Sequence, residues 1–275
     1  MSRMKSTHYR RFLYVVLSAL VCSSVGAASP PDNSITAVTS HPPGKSKADL
    51  FVKGGLSTCM KVNGQVILFD TGGESTPLLE NLEKSGLDAT LIEAIVFSHN
   101  EPDSVFGLAD LLDPAAEKPK VFALPTAARA IMETNPDALV VAVSKPSLVL
   151  PDTWLVGPIQ LENDGVTFYE QALVLDRPDG LIVIVGCSHP GIAEVVQQVK
   201  EVFGHRRIKL VAGGFHLHKT SKDEIREISL SLQQKGVKSL ALSNCTGDPA
   251  MKIFRQEWGD RVVSFDRGQT IDLDR

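Results

Sequence analysis

The sequence predicts an α/β fold of four layers, an αβ/βα sandwich in which two mixed β-sheets lie face to face with helices outside. Three observations point there. Short apolar runs alternate with segments of helical periodicity along most of the chain, the pattern of parallel strands joined by helices. Two hairpin signals interrupt that alternation, so the sheets are mixed rather than purely parallel. A chain of 275 residues with 43% hydrophobic content can also bury a core of that size.

The first segment reads as a leader. Lys5, Arg10 and Arg11 precede the apolar run FLYVVLSALV and the small residues SSVGAAS. This is the layout of a secretory signal peptide over residues 1–27, with Val25 and Ala27 set for cleavage before Ala28. The run falls short of the roughly 20 residues of a membrane span. Cys22 follows Leu20 and Val21 rather than the small residue a lipoprotein signal needs. The expectation is an exported protein, periplasmic or secreted, with no membrane contact after cleavage and residues 28–275 forming one domain.

After the Pro- and Lys-rich loop SHPPGKSKAD, STCMKV and QVILFD flank Asn63-Gly64, the strongest short hairpin signal. The turn TGG leads to Thr76-Pro77 and the helix LLENLEKSG, closed by Gly86. Strand IEAIVF, a helix over VFGLADLLD, strand KVFAL and helix TAARAIMETN follow. Ala138 to Tyr169 reads as strand-like but irregular, broken by Pro146, Pro151 and Pro158. EQALVLD and GLIVIVG flank the turn RPDG as a second hairpin. Helix GIAEVVQQVKEVFG, strand IKLVAGG, helix SKDEIREISLSLQQKG, strand KSLALS, helix DPAMKIFRQEW and a final strand pair around DRGQ complete the chain.

Removing the leader takes away four basic residues and leaves 24 basic against 32 acidic ones, a net charge of −8. Such a surface repels nucleic acid and anionic lipid, so the expected partner is a small-molecule substrate. The one locally basic segment, GHRRIK at residues 204–209, reads as the solvated start of a strand, and His205 and His41 as solvated loop residues. Cys59, Cys187 and Cys245 are too few and too odd in number for a disulfide-stapled framework. Cys187 and Cys245 read first as buried small hydrophobes, then as a disulfide or reactive thiols.

Ligand-type residues recur just behind apolar strands: Asp70, His99, His189, His216 and Asn244. Strand ends form the crevice of mixed α/β folds, so this repetition predicts one shared rim. The stretch SHNEPDS sets His99, Glu101 and Asp103 on alternate positions, all of metal-ligand type, and closes with Ser104. Two structural readings stand beside these. Asp70 holds the TGG turn through backbone amides, and Asp103 caps the helix over VFGLADLL.

On these residues the chain resembles the metallo-β-lactamase fold superfamily. ILFDTGG matches one signature, and SHNEPDS stands where members typically carry H-x-H-x-D-H. GGLS, EQALVLD, GCSHPGI, GGFHLH and NCTG further resemble the branch named for a dihydropterin and ribofuranosylaminobenzene phosphate synthase. The resemblance implies that His99, Asp103, His189 and His216 fall on metal-site positions. Glu101, Ser104 and Asn244 depart from it, each standing where a histidine is usual.

Glu101 can replace an imidazole and shifts preference toward harder ions such as manganese or ferrous iron. Ser104 and Asn244 are weak ligands for a second subsite. The expectation is therefore one divalent transition metal, zinc or manganese or iron, held by His99, Glu101 and His189 with Asp103 or His216 in support, and no second metal. Asp103 would orient the attacking water or take its proton. His218, Asn244 and Ser104 are the expected substrate contacts.

The resulting functional expectation is an exported metal-dependent hydrolase acting on a small ester, amide or phosphoester. Two alternatives stand beside it. One is a non-catalytic periplasmic binding or scaffold protein that has lost its metals. The other is a pterin-linked synthase-type transferase, which export disfavours.

Overall fold

Ser57–Val62 (β2) and Gln65–Phe69 (β3) pair antiparallel with Val62 opposite Gln65. Asn63 and Gly64 between them take φ of 53° and 78°, the left-handed pair that a two-residue hairpin needs. A computed structural model describes residues 28–40, 55–73, 78–112, 117–163 and 166–275. The leader over residues 1–27, the Pro- and Lys-rich loop with His41, and Thr76-Pro77 lie outside these residues.

Around that hairpin the described residues build two seven-stranded sheets. In the first, β2 and β3 are joined by Ser34–Thr39 (β1), Ile92–Val96 (β4), Lys120–Ala123 (β5), Leu139–Ala142 (β6) and Thr270–Asp272 (β14), in the order β14-β1-β2-β3-β4-β5-β6. The second holds Ser147–Leu150 (β7), Thr153–Asn163 (β8), Val166–Arg177 (β9), Gly180–Ile184 (β10), Ile208–Gly213 (β11), Val237–Leu242 (β12) and Val262–Ser264 (β13), in reverse order from β13 to β7. β3 through β6 run parallel, as do β10 through β13. The predicted αβ/βα sandwich of two mixed sheets is the observed fold.

Side-chain alternation sorts the core into layers. In β3, Ile67 and Phe69 point into the seam between the sheets, while Val66 and Leu68 face helices such as Leu78–Lys84. In β10, Ile182 and Ile184 enter the same seam, and Leu181 and Val183 meet the helices Ile192–Phe203 and Lys222–Gln234. Each such side chain contributes about 1.5–3 kcal/mol by leaving water. Strands buried on both faces explain why the parallel segments read as continuous apolar runs.

Four expectations need correction. The strands around DRGQ do not pair with each other: β13 adds to β12 in the second sheet and β14 to β1 in the first. The helix over VFGLADLLD is two short ones, Pro102–Val105 and Leu108–Leu111. Gly107 separates them, and a Cβ there would lie 2.6 Å from the Thr71 carbonyl. Asp103 consequently sits inside the first helix, and the N-cap positions of the two helices fall to Glu101 and Gly107. Finally, the middle is strand-like and broken at Pro146, Pro151 and Pro158 as expected, but more regular than predicted, since β8 and β9 form one long hairpin with a single register shift between Val156 and Ile159.

Candidate metal centre

The rim predicted from strand ends forms at the seam of the sandwich. β4 delivers Ser98 and His99, β10 delivers Cys187, Ser188 and His189, β11 delivers His216 and His218, and β12 delivers Asn244 and Cys245. The two sheets are tied together there by Gln171, whose backbone N–H donates to the Ser98 carbonyl at 2.9 Å and whose Nε2 donates to the Phe97 carbonyl at 2.7 Å. Donors from both sheets therefore share one cleft. The rings of His99 and His189 lie 4.9 Å apart, those of His189 and His216 4.8 Å, and those of His216 and His218 5.8 Å.

Each of the first two histidines is fixed through Nδ1. Ser98 Oγ donates to Asp70 Oδ2 at 2.6 Å and lies 2.6 Å from His99 Nδ1. The hydroxyl has a single proton, already given to Asp70, so His99 Nδ1 is the donor in the second contact. His99 Nε2 then faces the cleft. It is buried and has no hydrogen-bond partner among the described residues. Glu101 Oε2 stands 3.6 Å away, and the same oxygen is 3.9 Å from His189 Nε2.

His189 is oriented by Glu170, a residue that strand reasoning passed over. Its carboxylate is 3% exposed, accepts the backbone N–H groups of Ser188 at 2.9 Å and His189 at 2.7 Å, and lies 3.3 Å from His189 Nδ1. A charged residue in the apolar run EQALVLD is the signal that could have revealed it. Held imidazoles whose other nitrogen points at a common carboxylate are the arrangement that metal-binding histidines adopt, with hydrogen bonds from outside fixing each ring.

Electrostatics agree with that arrangement. Burial opposes a proton on His99, but Glu101, Glu170 and Asp70 outweigh it and lift the group to about 10. The His99 contact holds Glu101 down at about 2 against the cost of its partial burial. Burial works against the charge on Glu170, yet His189, His99 and the Ser188 N–H keep it below the ordinary range. His189 is raised because Glu170 overcomes its burial. Asp70, fully buried, is pushed up to about 7. The carboxylates of Glu101 and Glu170 thus favour positive charge in the cleft, which a divalent cation would supply.

Asp70 does hold structure, but not the way a local turn would. Its Oδ1 accepts the Ser98 N–H at 2.8 Å, joining the ends of β3 and β4. Thr71 secures the TGG turn instead, donating its N–H and Oγ1 to the Ser104 carbonyl at 2.7 and 2.9 Å. Ser104 is buried against that turn. The Asp103 side chain lies outside the described residues. Asn244 opens a short 3-10 turn and borders a groove of about 510 Å³ with Asp248, Met251, Lys252, Arg255 and Gln256, a size within the roughly 300–1,000 Å³ of small-molecule sites. His218 is exposed at the rim beside Gly247.

Cys187 and Cys245 are buried with their Sγ atoms 3.5 Å apart, as thiols and not as a disulfide. Gly186 and Gly214 permit this crowding. A Cβ on Gly186 would lie 2.3 Å from Ser98 Oγ, and one on Gly214 would lie 2.8 Å from Cys245 Cβ.

No protein-family model matches the chain. Among curated proteins, it is 26% identical over 261 residues to the 7,8-dihydropterin-6-methyl-4-(beta-D-ribofuranosyl)-aminobenzene-5'-phosphate synthase of Methanocaldococcus jannaschii, a match covering 79% of this chain and 89% of that protein. Among solved structures, Tm1679, a metal-dependent hydrolase of the β-lactamase superfamily, superposes with a TM-score of 0.67 and 27% identity over 86% of this chain and 98% of that one. The metallo-β-lactamase fold protein YhfI from Bacillus subtilis superposes with a TM-score of 0.62 at 12% identity, covering 86% and 98% of the two chains. With two mixed seven-stranded sheets, a histidine-rich cleft where their strand ends meet, and these likenesses, the chain is a metallo-β-lactamase-fold protein.

Proposed function

We propose that the chain is an exported metal-dependent hydrolase that binds one divalent transition metal through His99, Glu101 and His189 and cleaves a small ester, amide or phosphoester. The observation that carries the reading is His99 Nε2: a buried nitrogen with no hydrogen-bond partner among the described residues, aimed at the same carboxylate oxygen as His189 Nε2. Such a group is costly to bury unless something fills the gap. The donor set, two imidazoles and a carboxylate, fits a zinc, manganese or iron ion and leaves room for a water and a substrate oxygen. A bound cation of this kind supplies Lewis acidity, activating water and polarising the electrophilic centre.

The protein's own residues do the rest. Asp70 through Ser98, and Glu170 directly, hold the two imidazoles in the tautomer that presents Nε2 to the cleft. Glu101 lies between them and adds the negative charge. His216 and His218 line the outward side of the cleft, and Asn244 leads to the groove carrying Lys252 and Arg255. That groove is the place for a substrate's remote, anionic portion. Asp103, on the helix beside Glu101, is the proposed proton acceptor. The leader pattern is what supports export. The likeness to Tm1679, whose description is a metal-dependent hydrolase, supports the reaction class.

Metal analysis of the full chain after expression with its leader, paired with assays on simple carboxylic and phosphate esters before and after chelation, tests the reading. The expected result is at least one equivalent of transition metal and hydrolysis that chelation removes and metal restores. Protein that gains neither metal nor thermal stability on metal addition would sink it. A synthase-type transferase is the second reading, favoured by the similarity to the archaeal synthase over 79% of this chain. Condensation activity without hydrolysis would select it.

A further inference from the structure

Two cysteines at the floor of the cleft have no part in the hydrolytic reading. Cys187 follows β10 and Cys245 follows β12, and they are 5% and 3% exposed. Their Sγ atoms are 3.5 Å apart, far beyond the roughly 2.05 Å of a disulfide bond. Cys245 Sγ lies 4.0 Å from His216 Nδ1. The donor atoms of Cys187, His216 and Cys245 all fall within 4.8 Å of one another, and so do those of His99, Cys187 and His189. Cys187 belongs to both groups.

These spacings match a known coordination geometry. Tetrahedral bonds of about 2.3 Å to sulfur and about 2.0 Å to nitrogen put donor atoms roughly 3.5–3.8 Å apart. Two sulfurs in that geometry stand about 3.8 Å apart and a sulfur and a nitrogen about 3.5 Å, so the 3.5 Å between the thiols is about 0.3 Å short and the 4.0 Å from Cys245 to His216 about 0.5 Å long. Packing around the thiols is close, since a Cβ on Gly214 would stand 3.0 Å from Cys245 Sγ. His216 reaches the thiols from a left-handed backbone, φ 50°, a strained conformation that persists only where the surroundings fix it. Ser104 and Asn244 offer no anionic donor, whereas these thiols, once deprotonated, offer two.

We propose that Cys187, Cys245 and His216 form a second cation site selective for a thiophilic divalent metal of the zinc class, adjoining the His99 and His189 group. Binding exchanges two thiol protons for one divalent cation, so charge and atoms balance without an oxidant. Softness separates the two sites: carboxylate and imidazole on one side, thiolate and imidazole on the other. The inference depends on donor positions alone and stands whether or not the chain is a hydrolase.

The test titrates cobalt(II) chloride into the full chain kept reduced under anaerobic conditions and follows the absorption spectrum. The expected result is a near-ultraviolet thiolate-to-cobalt charge-transfer band together with intense visible bands of tetrahedral cobalt. Cys245→Ser lowers the charge-transfer band by about half, since one of two sulfur donors is lost. His99→Ala leaves that band in place. If a cysteine variant fails to fold, protection of both thiols from alkylation by zinc in the unaltered chain gives the same answer. Cobalt bound without any charge-transfer band would overturn this site and spare the hydrolytic one. Thiols that react with an alkylating agent as fast with zinc as without it would overturn it too, and no cobalt bound at all would overturn both.

Discussion

Glu170 grips His189 at two points, accepting its backbone N–H at 2.7 Å and lying 3.3 Å from Nδ1 of its ring. Position and ring orientation of this histidine therefore depend on one buried carboxylate. Glu170→Gln turns an acceptor oxygen into an N–H₂ facing either the Ser188 or the His189 amide. Metal affinity should fall about 10–100-fold, as for other supports of metal-binding histidines. Competition with a chromogenic chelator measures this. The melt should show a loss of about 1–3 kcal/mol, the cost of an unsatisfied buried group. Unchanged affinity would remove Glu170 from the site.

Gly186→Ala tests the packing beneath His99. The added methyl would meet Ser98 Oγ at 2.3 Å and Asp70 Oδ2 at 3.2 Å. Ser98 must move, and His99 Nδ1 loses its acceptor. Overpacking of this kind costs about 1–3 kcal/mol. The expected pair of results is a lower urea midpoint and a weaker metal complex.

Phe69→Ala separates the scaffold from the site. Phe69 is fully buried in the seam between the sheets, one residue before Asp70. Its truncation should cost about 3–5 kcal/mol in chemical denaturation. Because the next residue anchors Ser98, metal retention should fall along with stability.

Cys59 supplies an alkaline test away from the cleft. Burial pushes its thiol up to about 12, while the thiol of an unfolded chain titrates near 8.5. Between those values the folded chain keeps a proton that the unfolded chain gives up. This residue's contribution is thus intact below about 8.5 and is lost progressively as pH rises toward about 12. Cys59→Ala should flatten the loss of stability between about pH 8.5 and 10.5, read from urea unfolding at each pH.

Much of the scaffold could be read from residues because its signals are local. Asn63-Gly64 fixes a hairpin by backbone conformation, and Ser221 caps its helix by accepting the Glu224 N–H. Non-local pairing was not legible. The polar half of SITAVT looks like the solvent face of a strand, yet all six residues are buried: Ser34 donates to the Pro31 carbonyl, Thr36 meets the Thr270 hydroxyl, and Thr39 donates to the Gly55 carbonyl. Its neighbour β14 arrives from the far end of the chain, which no window of sequence reveals. In the site, the histidines stood out because polar residues behind apolar strands are conspicuous. Glu170 and the thiol pair did not, since a carboxylate within a strand and a cysteine beside a glycine take on their meaning only once the strand order of the second sheet brings β9 beside β10 and the ends of β10 and β12 together.

Gln171 carries a consequence for motion. Its backbone and side chain both donate to carbonyls just past β4, so a residue of one sheet stitches the loop holding His99 to the other. That loop cannot fray like an ordinary surface connection without breaking the seam between the layers. The Gln171 amide that donates to this loop should exchange with solvent as slowly as those of the central strands, which makes the cleft a rigid vise rather than a hinged jaw.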